Sequence, residues 1–464
     1  LSRTDLEKII EGTDATISIQ NSRRRFIVSG APAVLERVEL AAQAAEKADR
    51  AELAAKVRGG MPLAPILEYL DVEAPFHHEL LRPAYDQVLA WADTCGIAGA
   101  EELARAVLLD PVDWASEVRK ARENGAEWFV DLGPGNVVGR ITCDVLEGTG
   151  AGIVSAGSLT DIDALAAPGE EPARTADWSV HAPRLLELPT GTAVETAFSR
   201  FTGNSPVLLA GMTPTPVDPE IVAAAANAGF WVEMGGGGQV TADVFANNLA
   251  GLQEQLDEGR TAKFNAMFMD RYLWNLQFGG QRVVSKARES GAPLDGVVVS
   301  AGLPELDEAP ELIAELQSQG FKYIAFKPGT VANIRHSLSI ARNTDATIIL
   351  HVEDGHAGGH HSWENLDDLL RSTYGEIRRQ ENVILCVGGG IGTPERAADY
   401  ISGEWALRYG LPLMPVDGVL IGTAAMTAKE AKTQDSVKEL LVKTTGVPAS
   451  EGGWVGAGKS AGGM

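Results

Sequence analysis

From Pro206 onward the chain repeats one pattern, a short β-rich run followed by a helical stretch. Eight runs lie near 206–210, 229–234, 262–268, 295–300, 323–327, 346–353, 382–389 and 418–423. Helical patterns such as 219–228, 311–318, 364–379 and 394–401 separate them. The stretches 384–387 and 419–421 are apolar without alternation, as strands covered on both faces require. Eight such units in about 220 residues approach the length of a (β/α)8 barrel. A doubly wound parallel sheet is the competing layout, and the even spacing favours closure. The expected fold is α/β, with a TIM barrel over 191–445.

Residues 1–160 read differently. The stretches 16–19 and 25–28 alternate like two short strands, and a helical pattern over 33–55 follows Gly30. Further helical patterns cover 77–93 and 100–108, and a strand at 128–132 ends in the turn Gly133-Pro134-Gly135. Between 161 and 190 periodicity disappears and large apolar residues thin out, which predicts a surface linker. The Gly-rich stretch 446–464 reads as a truncated domain. With Leu1 at its start, the chain reads as a piece of something longer.

A net charge of −24 argues against nucleic acid, which needs a clustered basic surface. No apolar stretch nears the roughly 18–20 residues of a membrane helix, and no signal peptide is evident. Cys95, Cys143 and Cys386 lack paired spacing and read as reduced, buried thiols of a cytoplasmic protein.

Barrel chemistry sits at the C-terminal strand ends. The seventh run ends in Gly388, Gly389 and Gly390 before a helical pattern, and the eighth in Gly422 and Thr423 before another. Backbone amides exposed by glycine, aided by a helix N-terminus, bind phosphate, and these two loops are the recurrent phosphate position of the fold. The first run ends in Gly211, Met212 and Thr213, a tight turn with a hydroxyl over the mouth. Asn265 lies within the third run, as either a satisfied core amide or a cofactor contact. Lys327, fixed by Pro328, either points a cation at the mouth or snorkels to the surface. The sixth run carries His351, His356, His360 and His361 among glycines. A metal site is the first alternative there, but so flexible a loop makes a poor ligand frame, and no metal is expected.

Gly358-Gly359-His360, Gly211-Met212 and the two glycine loops resemble the flavin-dependent enoyl reductases related to nitronate monooxygenases. The closer similarity is to the reductase domain of fungal and actinobacterial type I fatty acid synthases, over roughly 185–464. The resemblance implies FMN over the barrel mouth, with its phosphate on Gly388, Gly389, Gly390, Gly422 and Thr423. Gly211, Met212, Thr213, Asn265 and Lys327 would flank the rest of it. It further implies NADPH (or NADH) as hydride source, and a trans-2-enoyl thioester on an acyl carrier domain as acceptor. His360 matches the family's active-site histidine, His361 is the next candidate, and His356 is expected behind them.

In the N-terminal block, Pro75-Phe76-His77 and Asp131-Leu132-Gly133-Pro134-Gly135 resemble the C-terminal half of an acyl-carrier acyltransferase, with its ferredoxin-like subdomain. The resemblance makes His77 the general base. No Gly-x-Ser-x-Gly elbow occurs in residues 1–160, so the nucleophile half is missing from this block. The P-loop spacing from Gly453 to Ser460 lacks the strand and helix a P-loop needs and is set aside. The expected protein is an enoyl reductase module working with other synthase domains as a homo-oligomer. A nitronate-oxidising flavoprotein and a non-catalytic assembly segment are the alternatives.

Overall fold

The computed structural model describes residues 2–54, 63–167, 169, 171–189, 191–211, 217–355 and 364–445. One compact unit runs to Asp177, and a second begins at Trp178.

In the first unit, strands β1 (Thr16–Gln20) and β2 (Phe26–Ser29) form an antiparallel ladder, followed by the helix Pro32–Ala54. The expected helix over 77–93 starts only at Arg82. His77 has φ +59°, and His78 caps the short turn Glu79–Leu81 by accepting the Leu80 N–H, so the chain turns before it coils. Strands β3 (Trp128–Asp131) and β4 (Gly152–Ser155) pair in parallel, bracketing the helix Val137–Leu146. Of the expected ferredoxin-like subdomain, the described residues hold β1, β2 and the helices Arg3–Ile10 and Pro32–Ala54. The two ladders β1–β2 and β3–β4 remain separate two-stranded sheets, and Leu63–Leu70 runs without a ladder partner, interrupted by Pro65.

The stretch expected as a linker, 161–190, contains the end of the helix Leu159–Ala166 and bridges from Arg174 and Asp177 back to 148–152. It also holds β5 (Arg184–Leu188), which pairs with β6 (Gly191–Glu195) as a hairpin. One expectation about the thiols is corrected. Cys386 is buried, but Cys95 and Cys143 are exposed. Cys95 is the last residue of the helix Arg82–Cys95, and Cys143 lies off the stripe of Gly139, Thr142, Val145 and Leu146 that buries its helix.

The second unit is a closed barrel of eight parallel strands. They are β7 (Ser205–Leu209), β8 (Phe230–Gly235), β9 (Ala262–Met267) and β10 (Leu294–Ser300), then β11 (Tyr323–Phe326), β12 (Ile348–Glu353), β13 (Val383–Gly388) and β14 (Gly418–Ile421). Side chains alternate across each strand. Val232, Phe264, Leu350 and Leu385 pack outward in the main core against the helices. Trp231, Ile349, Ile384 and Cys386 point inward and fill the lumen with Val298 and Ala325.

The N-terminal end of the lumen is sealed. Phe198, on the helix Ala197–Thr202, is fully buried against Trp231 at 5.3 Å between ring centroids, and Phe201 meets Tyr323 at the same distance. Within this aromatic floor Lys263 is 1% exposed, 3.1 Å from Asp295 and 4.7 Å from the Trp231 ring centroid. Pairing and a cation–π contact offset the desolvation of its charge.

Candidate functional site

One step of two residues up each strand, about 6.6 Å, changes the lumen from apolar to polar. Above Trp231 stands Glu233, above Lys263 stands Asn265, and above Ile349 stands His351. Ser300 closes β10, and Lys327 directly follows β11.

Glu233 is wholly buried and gathers these groups. Its Oε2 accepts the Gly211 N–H at 2.9 Å and Asn265 Nδ2 at 2.7 Å, with Lys327 Nζ at 3.7 Å. Its Oε1 lies 3.0 Å from His351 Nδ1. Lys327 also reaches Glu353 at 2.9 Å, and Ser300 donates to Asn265 Oδ1 at 2.6 Å. Burial favours the neutral acid at Glu233. Lys327, then His351 and the Gly211 N–H, outweigh it and hold the carboxyl well below the usual carboxylate range. For Lys327, burial opposes the charge, but Glu353 and Glu233 outweigh it and raise the pKa above that of an ordinary lysine.

The close approach of the chain just past β7 to Asn265 on β9 requires glycine at 211, since a Cβ there would stand 2.6 Å from Asn265 Cβ. Gly388 closes β13, and the chain then turns through Gly389 (φ +116°) and Gly390 (φ +63°). A Cβ on Gly389 would overlap Oδ1 of Asp354, so this backbone lies tight on the end of β12. Thr393 caps the helix Pro394–Ser402 by accepting the Arg396 N–H. Gly422 follows β14, and Thr423 opens the short turn Thr423–Thr427. Gly390, Gly392 and Thr423 are exposed, and among the described residues their N–H groups meet no backbone acceptor. Amides so presented can bind an anion.

Of the residues expected at the mouth, the structure thus joins Gly211, Asn265 and Lys327 through Glu233, and places the glycines of 388–390 and 422 with Thr423 at adjacent strand ends. Met212, Thr213, His356, His360 and His361 lie outside the described residues, as does the glycine-rich stretch 446–464. Sequence reasoning missed Glu233 and Ser300 and assigned His351 no role. The available signal was an acid, Glu233, at an inward position of an apolar run just before four glycines.

His77 belongs to the first unit, and its Nδ1 stands 2.8 Å from the Asp110 carbonyl. A carbonyl only accepts, so Nδ1 is the donor of this bond, and in the neutral imidazole that leaves the lone pair on Nε2. Beyond it, Asp131 accepts the Gly133 and Gly139 N–H groups at 3.0 and 2.7 Å and fixes the turn after β3.

Two family descriptions match. "Fatty acid synthase subunit beta/Fas1-like, helical" covers residues 347–464, and "Fatty acid synthase central AT domain" covers 3–69. The chain is 32% identical to fatty acid synthase beta subunit aflB of Emericella nidulans, over 96% of its own length and 22% of that protein. It is 29% identical to fatty acid synthase subunit beta of Saccharomyces cerevisiae, over 94% of its length and 23% of that protein. Among solved structures, the enoyl reductase domain of MlnA from the macrolactin biosynthesis cluster of Bacillus amyloliquefaciens is similar at 16% identity and TM-score 0.41. That match covers 53% of this chain and 60% of the other. The chain is similar to fungal fatty acid synthase β subunits over nearly its whole length and spans less than a quarter of the length of these relatives.

Proposed function

We propose that the barrel, residues 191–445, is an enoyl reductase that uses FMN and NAD(P)H to reduce trans-2-enoyl thioesters borne by an acyl carrier domain. The observation that carries this reading is the convergence of Gly211, Asn265 and Lys327 on one buried carboxylate beneath the barrel mouth, beside two loops of exposed amides. The residues fit a flavin phosphate: Gly389 adopts a conformation and a close approach that a side chain would forbid, and among the described residues the N–H groups of Gly390, Gly392 and Thr423 meet no backbone acceptor. Bound there, FMN would supply the relay of a hydride from NAD(P)H to the thioester's β-carbon.

The chain's own residues have separate tasks in this reading. Gly388, Gly389, Gly390, Gly422 and Thr423 bind the phosphate, while Gly211, Met212, Thr213, Asn265 and Lys327 hold the remainder of the cofactor. Lys327 keeps its proton, because two carboxylates face it, and serves as a fixed positive charge. His360 steadies the thioester oxygen or protonates the α-carbon, with His361 as its neighbour in that role. Below the mouth the lumen is filled with apolar side chains.

In residues 1–160 the same proposal assigns the C-terminal part of an acyltransferase, with His77 Nε2 as the base awaiting a serine from elsewhere in the synthase. Other synthase domains are the partners it needs.

The test is the visible spectrum of the purified full-length parent protein, before and after NADPH and a crotonyl thioester. The expected outcome is a flavin band bleached by NADPH and restored anaerobically by the thioester. A bound flavin that NADPH does not reduce would favour nitronate oxidation, and no flavin uptake would overturn the phosphate assignment.

A further inference from the structure

A carboxylate at zero exposure survives only if donors surround it. Glu233 draws hydrogen-bond donors from the loop after β7 and from strand β9, and two further partners stand beside it, Lys327 after β11 at 3.7 Å and His351 on β12 at 3.0 Å. Each of these donors is thereby given one orientation. Because Asn265 Nδ2 points at Glu233, its Oδ1 must face the other way, where Ser300 donates to it. The Gly211 amide is turned toward the Glu233 carboxylate in the lumen. Lys327 is suspended between Glu233 and Glu353, at 3.7 and 2.9 Å, instead of extending to solvent.

We propose that Glu233 is the positioning residue of the flavin site: as a fixed, buried anion it orients Gly211, Asn265 and Lys327 together. The proposal rests on the flavin reading above and deepens it. Glu233 itself lies below these groups and acts through them. A glutamine at this place keeps the size but turns one acceptor into a donor facing other donors, and it removes the charge. An aspartate keeps the charge but withdraws it from its partners by one methylene.

The experiment uses the intact protein, stripped of flavin, as wild type, Glu233→Gln and Glu233→Asp. FMN is titrated by quenching of its fluorescence, the potential of the bound flavin is measured spectroelectrochemically, and the flavin-free proteins are melted. Glu233→Gln is expected to weaken FMN binding at least about tenfold, as expected for one lost charge-assisted hydrogen bond, and to move the potential positive. Glu233→Asp is expected to weaken binding while leaving the potential near that of wild type. A merely structural role would lower both melting temperatures and leave the potential of each unchanged.

FMN affinity within about twofold of wild type in either variant overturns the proposal, and Glu233→Asp carries this test even if Glu233→Gln does not fold. An unchanged potential in Glu233→Gln overturns it as well. If the wild-type protein takes up no FMN, the flavin reading fails and this proposal falls with it, which separates that failure from the failure of Glu233 alone.

Discussion

At Gly389 the backbone has φ +116°, and the space a Cβ would need is held by the Asp354 carboxylate. Both conditions oppose any side chain there. Gly389→Ala is expected to destabilise the barrel by about 1–3 kcal/mol, seen in urea denaturation, and to weaken FMN uptake in the same titration. Glycines 388–390 were legible in the sequence because a glycine run at the end of an apolar strand has few other uses. Asn265 and Lys327 were legible as polar residues at strand ends, though each admitted a second reading. The carboxylate that both of them meet, Glu233, was not seen. Its neighbours in the sequence are apolar, and its partners stand 22, 32, 94 and 118 residues away, at Gly211, Asn265, Lys327 and His351.

Among the elements, the barrel strands declared themselves because burial on both faces leaves an unbroken apolar run, and the helices between them carry clear stripes. The smaller pieces of the first unit did not. The helix Trp114–Glu123 buries only Ala115 and Val118 among its ten residues, too little for a periodic signal. Strand β4 is buried but only four residues long, too short for a period to show, and the β5–β6 hairpin is mostly exposed and has no buried face to read. The floor of the barrel offers a direct test at this scale. Lys263→Ala removes the partner of Asp295 and the cation over Trp231 together. A loss of about 3 kcal/mol is expected, near the low end for a buried pair because Thr261 still donates to Asp295. Urea denaturation by tryptophan fluorescence measures it, and Lys263→Ala with Asp295→Asn is expected to recover part of the loss.

The whole molecule consists of two compact units, each with hydrophobic clusters of its own. A ligand that binds one folded unit and not its unfolded form stabilises that unit alone. Calorimetry is therefore expected to show two transitions, and FMN at about 100 times its Kd should raise the stability of one by about 2.7 kcal/mol. Movement of both transitions, or of neither, contradicts a flavin site confined to the barrel. The likeness to fatty acid synthases and the barrel could both be read from residues in order along the chain. The extent of the first unit could not, since the bridges of Arg174 and Asp177 back to 148–152 bring a stretch without periodicity into its fold.

The aromatic plug of Phe198, Trp231 and Tyr323, with Lys263 locked among them, has a consequence for traffic. A vessel stoppered at one end fills and empties through the other. On the proposed chemistry, the nicotinamide that charges the flavin and the thioester that discharges it share a single doorway. They must call there in turn, and the carrier domain has to arrive at the face the nucleotide has just left.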